Sequence, residues 1–248
     1  MLEPTELRDR RDAVLERIAV AAARAGRDVA EVTLIAVTKT WPAELVIAAH
    51  GIGLRHFGEN RPEELAAKRP VVEAAVGMDN DIVWHLIGPV QSRKTGLAAA
   101  HADVFHALDR PGIVHRLSRD LIRLGRDLPS FIEINVSGEA AKHGLDLANW
   151  ENDATQRESL RTMINETGEM PGLSPVGLMT MAPWDVEPDQ IRAVFRRTRA
   201  LADWLCLERI VEPGFYLSMG MTDDFEIAIE EGATHVRVGR ALFGERER

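Results

Sequence analysis

Eight short β-rich runs recur along this chain, each separated from the next by a helical stretch. That alternation constrains the fold more than any other feature. The runs are 32–38 (VTLIAVT), 54–58, 82–87, 103–108, 131–136, 175–180, 214–218 and 234–238. Helical spacing is expected over about 42–51, 60–75, 91–100, 111–126, 147–168, 188–210 and 223–231. A leading helix is expected over about 5–27, with Leu7, Val14, Leu15, Ile18 and Ala21 on its apolar face. Strands that alternate with helices make parallel sheets, and eight of them fill a closed barrel with none left over. The expected fold is therefore α/β: a (β/α)8 TIM barrel with an additional N-terminal helix. A doubly wound open sheet is the main alternative, but no GxGxxG follows the first run. The 248 residues suit a single barrel domain spanning 1–248, and no stretch reads as a linker or a repeat.

Composition removes several function classes. No apolar stretch approaches the roughly 18–20 residues needed to cross a bilayer, and the mixed-charge start MLEPTELRDRRDAVLERI is not a secretory signal. A cytoplasmic protein is expected. Cys206 is the one cysteine, which excludes an internal disulfide and a cysteine-rich metal site. It falls in an apolar helical pattern, where packing is its expected role. The formal charge is −9 with basic residues scattered among acids, which argues against a nucleic-acid surface. The eight histidines show no HExxH or other close ligand spacing, so no metal is expected.

Barrel sites lie at the C-terminal ends of the strands. Those ends carry Thr38-Lys39, Glu59-Asn60, His85 to Gly88, Asn135, Met179-Thr180-Met181, Ser218 to Asp224, and Arg237-Val-Gly239-Arg240. Loops after the last two strands of such barrels often cradle a phosphate. Ser218 has a hydroxyl to donate, and Gly239 and Arg240 have backbone N–H groups with room for an anion. Ordinary strand-to-helix turns satisfy the same sequence. Thr222 or Asp223 can cap the last helix, and Asp223 and Glu226 have the spacing of a capping box. Arg237 shares a strand face with Gly239; pairing with a core acid such as Glu133 is its plain structural role. His56, His85 and Asn60 are further candidates for the cavity wall. Met179, Met181, Met219 and Met221 suit packing at the barrel mouth or against a flat ring.

Lys39 is one of only four lysines, with Lys68, Lys94 and Lys142, against twenty-six arginines. A lysine leaving the first strand beside an apolar interior has the setting for a lowered pKa and Schiff-base formation. That points to an aldehyde cofactor, pyridoxal 5′-phosphate (PLP). A solvated loop lysine is the other reading of the same residue.

The segments AVTKTWP, HFGENRPEE, WHLIGPVQSRK, INVSGEAAKHGL, GLMTMAP and LSMGMTDDFEIAIEEGATHVRVGRALFG together resemble the pyridoxal phosphate homeostasis protein family, single-domain relatives of the alanine racemase N-terminal barrel. The likeness runs over residues 5–244. It implies that Lys39 holds PLP as a Schiff base, that Ser218, Gly239 and Arg240 bind its phosphate, that Arg237 sits beside the pyridine nitrogen and that Asn60 lines the pocket. It also implies a second lysine, Lys142, in a mobile region that helps hold or transfer cofactor. Many members carry a lysine two residues past the cofactor lysine, where this chain has Trp41. The implied function is PLP binding and homeostasis without a settled catalytic activity, with delivery to apo-enzymes of PLP as a further expectation. A weak PLP-dependent amino-acid racemase is the alternative. Two-base racemisation needs a second acid/base on the other substrate face, and neither Tyr216, the one tyrosine, nor Cys206 is well placed to supply it. A monomer suffices to complete such a pocket.

Overall fold

The computed structural model describes residues 3–78, 80–139 and 143–245. Lys142 lies outside them. Helix α1 (Pro4–Arg24) leads into β1 (Thr33–Val37), followed by α2 (Ala43–Gly51), β2 (His56–Glu59), α3 (Pro62–Val76), β3 (Val83–Leu86), α4 (Thr95–His101), β4 (Val104–Leu108), α5 (Pro111–Leu124) and β5 (Leu128–Asn135). The second half runs through β6 (Leu145–Asp146), α6 (Ala154–Glu169), β7 (Leu173–Met179), α7 (Pro188–Leu207), β8 (Tyr216–Met221), α8 (Phe225–Glu230), β9 (His235–Val238) and α9 (Arg240–Phe243).

All strand pairings are parallel, in the order β4-β3-β2-β1-β9-β8-β7-β5, and β4 pairs with β5 to close the ring. Eight strands thus form the barrel, as the alternation predicts. The ninth, β6, is a two-residue addition pairing with Ile134 and Asn135 of β5. Barrel strands are covered on both faces and therefore read as apolar runs rather than alternations; β1 and β4 are buried along four of their five residues. Helix α5 shows how the outer ring is held. Ile113, Val114, Leu117 and Leu121 are buried at helical spacing, and Gly125 ends the helix at φ 62.

Helix α1 packs on α8 and α9. Its buried stripe is Leu7, Val14, Ile18, Ala21 and Ala22, whereas Leu15, expected inside, is 43% exposed. Arg17 fastens it by a two-pronged ion pair to Glu226, 2.8 and 2.9 Å long, over the ring of Phe225. That pairing overturns the expected capping box. Helix α8 starts at Phe225, so Asp224 rather than Asp223 flanks it, and Glu226 is already committed to Arg17.

The expected helix over 147–168 also begins later. Leu147 and Trp150 are buried, and their three-residue spacing imitates a helical face. Asp153 caps the true helix by accepting from the amides of Thr155 and Gln156. The preceding turn is tied to the barrel by Arg197, which donates to Val136 O and Ala148 O. Among the described residues no helix is long and apolar enough to cross a membrane.

Candidate functional site

The C-terminal ends of the strands enclose a cavity of about 760 Å³. Lys39, Asn60, Arg237, Gly239 and Arg240 all line it, so five of the six residues selected from sequence meet around one space. Ser218, the sixth, lies one layer beneath. It is fully buried, and its Oγ is bonded to Arg237 Nη1 at 2.6 Å and to His106 Nδ1 at 2.8 Å.

The turn that presents Lys39 is built by buried charge. Lys68, 6% exposed, reaches up from α3. Its Nζ donates to Glu59 Oε1 at 2.6 Å, to Thr38 O at 3.0 Å and to Glu64 Oε1 at 3.2 Å. Thr38 Oγ1 donates to the same Glu59 oxygen at 2.6 Å. Beyond Lys39, the Thr40 amide donates to the Glu64 carboxylate, and Thr40 takes φ 67, a conformation rare for a residue with a Cβ. Both neighbours of Lys39 are thus fixed through one buried cluster. Burial raises the Glu59 pKa, against the lowering effect of Lys68 and Thr38.

Arg237 forms the cavity floor and is 4% exposed. Among the described residues its acceptors are neutral: Ser218 O at 2.8 Å, Ser218 Oγ, and Thr180 O at 2.9 Å. Burial lowers its pKa to about 10, while Asp224 and Glu133 hold it up, so it stays a cation at neutral pH. Glu133 therefore acts on Arg237 through space; among the described residues its Oε2 has no hydrogen-bond partner. The rim carries acids as well. Asp223 is paired with the exposed Arg240 side chain, and Asp224 turns its carboxylate to the Met221 amide.

Among the described residues, no acceptor within the chain takes the backbone N–H groups of Thr222, Gly239 or Arg240. They remain available to an anion at the turns after β8 and β9. Gly239 lets the backbone approach closely, since a Cβ there would lie 3.3 Å from Val37 O. Gly88 has the tighter fit: a Cβ would stand 2.3 Å from Asn60 O and 2.7 Å from Asn60 Oδ1. Gly88→Ala is therefore expected to push Asn60 out of the cavity wall and to lower stability by about 1–3 kcal/mol. A urea midpoint equal to that of the unsubstituted protein would show that this contact is not tight.

Reasoning from sequence placed Thr222 among the strand-end residues but gave it only a capping role; it lines the cavity. The expected seventh strand stopped at 218, but β8 continues to Met221, which moves the strand-end turn three residues along. It also missed the loop after β7, where Pro183, Trp184 and Asp185 line the cavity and Trp184 is 67% exposed. Met181, Met221 and Trp41 are in the wall, while Met179 and Met219 are core. His56 and His85, expected at the wall, belong instead to the barrel interior below it. Tyr216 opens β8 and lines a second cavity with Cys206 at the N-terminal end of the strands. Neither can serve as a second acid/base near Lys39.

A barrel with its site at the strand ends matches the family described as alanine racemase, N-terminal domain, over residues 10–247. A pyridoxal phosphate homeostasis protein of Pseudomonas aeruginosa is 42% identical, covering 94% of this chain and 93% of the relative. That of Aquifex aeolicus is 36% identical, covering 96% and 98%. The solved structure of PipY from Synechococcus elongatus PCC7942 with PLP bound superposes with a TM-score of 0.73 at 33% identity, covering 93% of this chain and all of that one. This chain belongs to the pyridoxal phosphate homeostasis protein family.

Proposed function

We propose that this protein binds pyridoxal 5′-phosphate in the strand-end cavity, holds it covalently through Lys39 and serves to keep and hand on the cofactor rather than to turn over a substrate. The observation that carries this reading is the meeting of a lysine, a buried guanidinium and open turn amides around one space. Its volume of about 760 Å³ lies within the range of about 300–1,000 Å³ usual for small-molecule sites. When bound, PLP supplies an aldehyde open to attack by an amine and a phosphate anion.

The Lys39 amine is the nucleophile, and the Lys68 cluster fixes the direction in which it leaves β1. The amides of Thr222, Gly239 and Arg240 bind the phosphate, with the Arg240 side chain left to Asp223. Arg237 offers a donor, not an acceptor, to the ring nitrogen, which keeps that nitrogen unprotonated and the ring a weak electron sink. Asn60 and Trp41 close the sides. Ser218 serves by holding Arg237. Among the described residues no tyrosine or cysteine lines the cavity with Lys39, which suits storage better than racemisation. Family membership, and the PLP seen in the cyanobacterial relative, support the same reading. A monomeric, cytoplasmic carrier that yields PLP to apo-enzymes completes the proposal.

Purified protein incubated with PLP should gain a visible absorption band that Lys39→Ala lacks, and borohydride should fix the cofactor on Lys39. Mixing the loaded protein with an apo-enzyme should restore that enzyme's activity. A band that survives Lys39→Ala would refute the assignment of the lysine.

A further inference from the structure

Beneath the cavity, four histidines crowd the barrel interior, and three of them stand in line. His56 Nδ1 lies 2.9 Å from His85 Nε2, His85 Nδ1 lies 2.8 Å from His106 Nε2, and His106 Nδ1 lies 2.8 Å from Ser218 Oγ. Arg237 closes the series on Ser218 Oγ at 2.6 Å. Each member comes from a different strand: β2, β3, β4, β8 and β9. The line crosses the barrel from half-buried His56 at the start of β2 to the guanidinium at the cavity floor. His106 is held flat against Phe131, with ring centres 4.3 Å apart and an interplanar angle of 17°. His235 flanks His85 and His106 at 6.3 and 6.1 Å.

The direction of the line follows from its end. A guanidinium can only donate, so Ser218 Oγ accepts from Arg237 and must place its own proton elsewhere. Among the described residues its other partner is His106 Nδ1. Burial keeps His106 and His85 neutral, so each ring that accepts at Nδ1 carries its proton on Nε2. His106 then donates to His85, and His85 to His56. Every bond points away from the cavity, and one cation fixes the tautomer of three rings.

We propose that His106, backed by His85 and His56, is a positioning residue that holds the Ser218–Arg237 pair in one orientation and thereby sets how strongly Arg237 donates into the cavity. The part of this that concerns the ring rests on the reading that PLP occupies the cavity with its ring nitrogen facing Arg237. Nothing in the strand-end chemistry requires histidines this deep. A barrel interior is ordinarily filled by branched apolar side chains, and a buried polar line is retained only when each member is satisfied.

Two measurements test it. In the unloaded protein, nitrogen-15 spectra of the imidazoles should show His106 and His85 protonated at Nε2 alone, and Ser218→Ala should mix the His106 tautomers. Protonation of His106 at Nδ1 would overturn the direction of the line. In the loaded protein, His106→Phe keeps the ring shape and removes both bonds, whereas His106→Asn returns an acceptor near the Nδ1 position. The first should shift the position of the visible band and move its pH midpoint by about half a unit to one unit, and the second should restore both. Ser218→Ala, a smaller change, should reproduce the His106→Phe shift if that variant folds poorly. A band with unaltered position and pH midpoint in both His106→Phe and Ser218→Ala would overturn the positioning role. Absence of any band in the unsubstituted protein would instead overturn the cofactor reading and the ring part of the proposal, while the imidazole spectra still decide the line.

Discussion

Lys68→Met should lower the unfolding free energy by about 3–5 kcal/mol at pH 8, the range typical when one partner of a buried ion pair is removed. The reason is what it leaves behind. Glu59 is fully buried, its Oε2 has no partner among the described residues, and Lys68 is its counter-charge at 2.6 Å. Without the ammonium, Glu59 keeps only the Thr38 hydroxyl on Oε1, and its already raised pKa must climb further. Protonation then relieves the cost. A carboxyl whose folded pKa lies above its unfolded value destabilises the fold above that unfolded value and ceases to do so below it. The defect of Lys68→Met should therefore shrink toward pH 5. Adding Glu59→Gln should recover most of the loss at pH 8, because the orphaned charge is gone. Urea unfolding of the single and double variants at the two pH values provides the check. A single variant within about 1 kcal/mol of the parent at pH 8 would mean that Glu59 is not ionised in the fold. Loading with PLP should suffer in both variants, since Lys68 also holds Thr38 O beside Lys39.

That cluster marks where the sequence stopped being informative. Lys39 could be singled out because it ends an apolar run at a strand end, and barrel geometry sends such residues into one cavity. Lys68 had no comparable signal. It sits on α3 among charged neighbours and reads as a solvated helix lysine, yet the topology brings it under the β1 turn. The eight barrel strands were legible because burial on both faces leaves unbroken apolar runs. Their ends were less so: β8 runs three residues past the expected stop. The hydroxyl expected at the phosphate is that of Ser218, whose partners within the fold are Arg237 and His106, while Thr222 stands in the turn itself. The histidine line was invisible for a related reason. Its members lie far apart in sequence, and the side-by-side pairing of β2, β3 and β4 sets the order in which the three rings meet.

Glu133→Gln should stabilise the protein by up to about 3 kcal/mol at pH 8 and by almost nothing at pH 4.5. Glu133 points from β5 into the interior, is 2% exposed and has, among the described residues, no partner for its Oε2. Burial, then the charge of Asp109, push its pKa from 4.5 up to about 7, against the attraction of Arg237. Between those two values the folded protein binds a proton that the unfolded chain has lost, so this group's contribution to stability falls as pH rises through the window and is level above it. The gap between 4.5 and about 7 corresponds to about 3 kcal/mol. Glutamine keeps the size and removes the charge; the lost attraction to Arg237 offsets part of the gain. The buried histidines act in the opposite sense. His235, lowered to about 4, and His85 and His106, lowered well below 6.5, stabilise the fold above 6.5 and lose that contribution as pH falls. They are common to parent and variant, so they cancel in the difference. Urea unfolding of both proteins from pH 4.5 to 8 should give a difference that grows with pH and flattens above about 7. A difference that is constant with pH would mean that Glu133 titrates alike in the folded and unfolded chain, and would remove it from the electrostatic surroundings of Arg237.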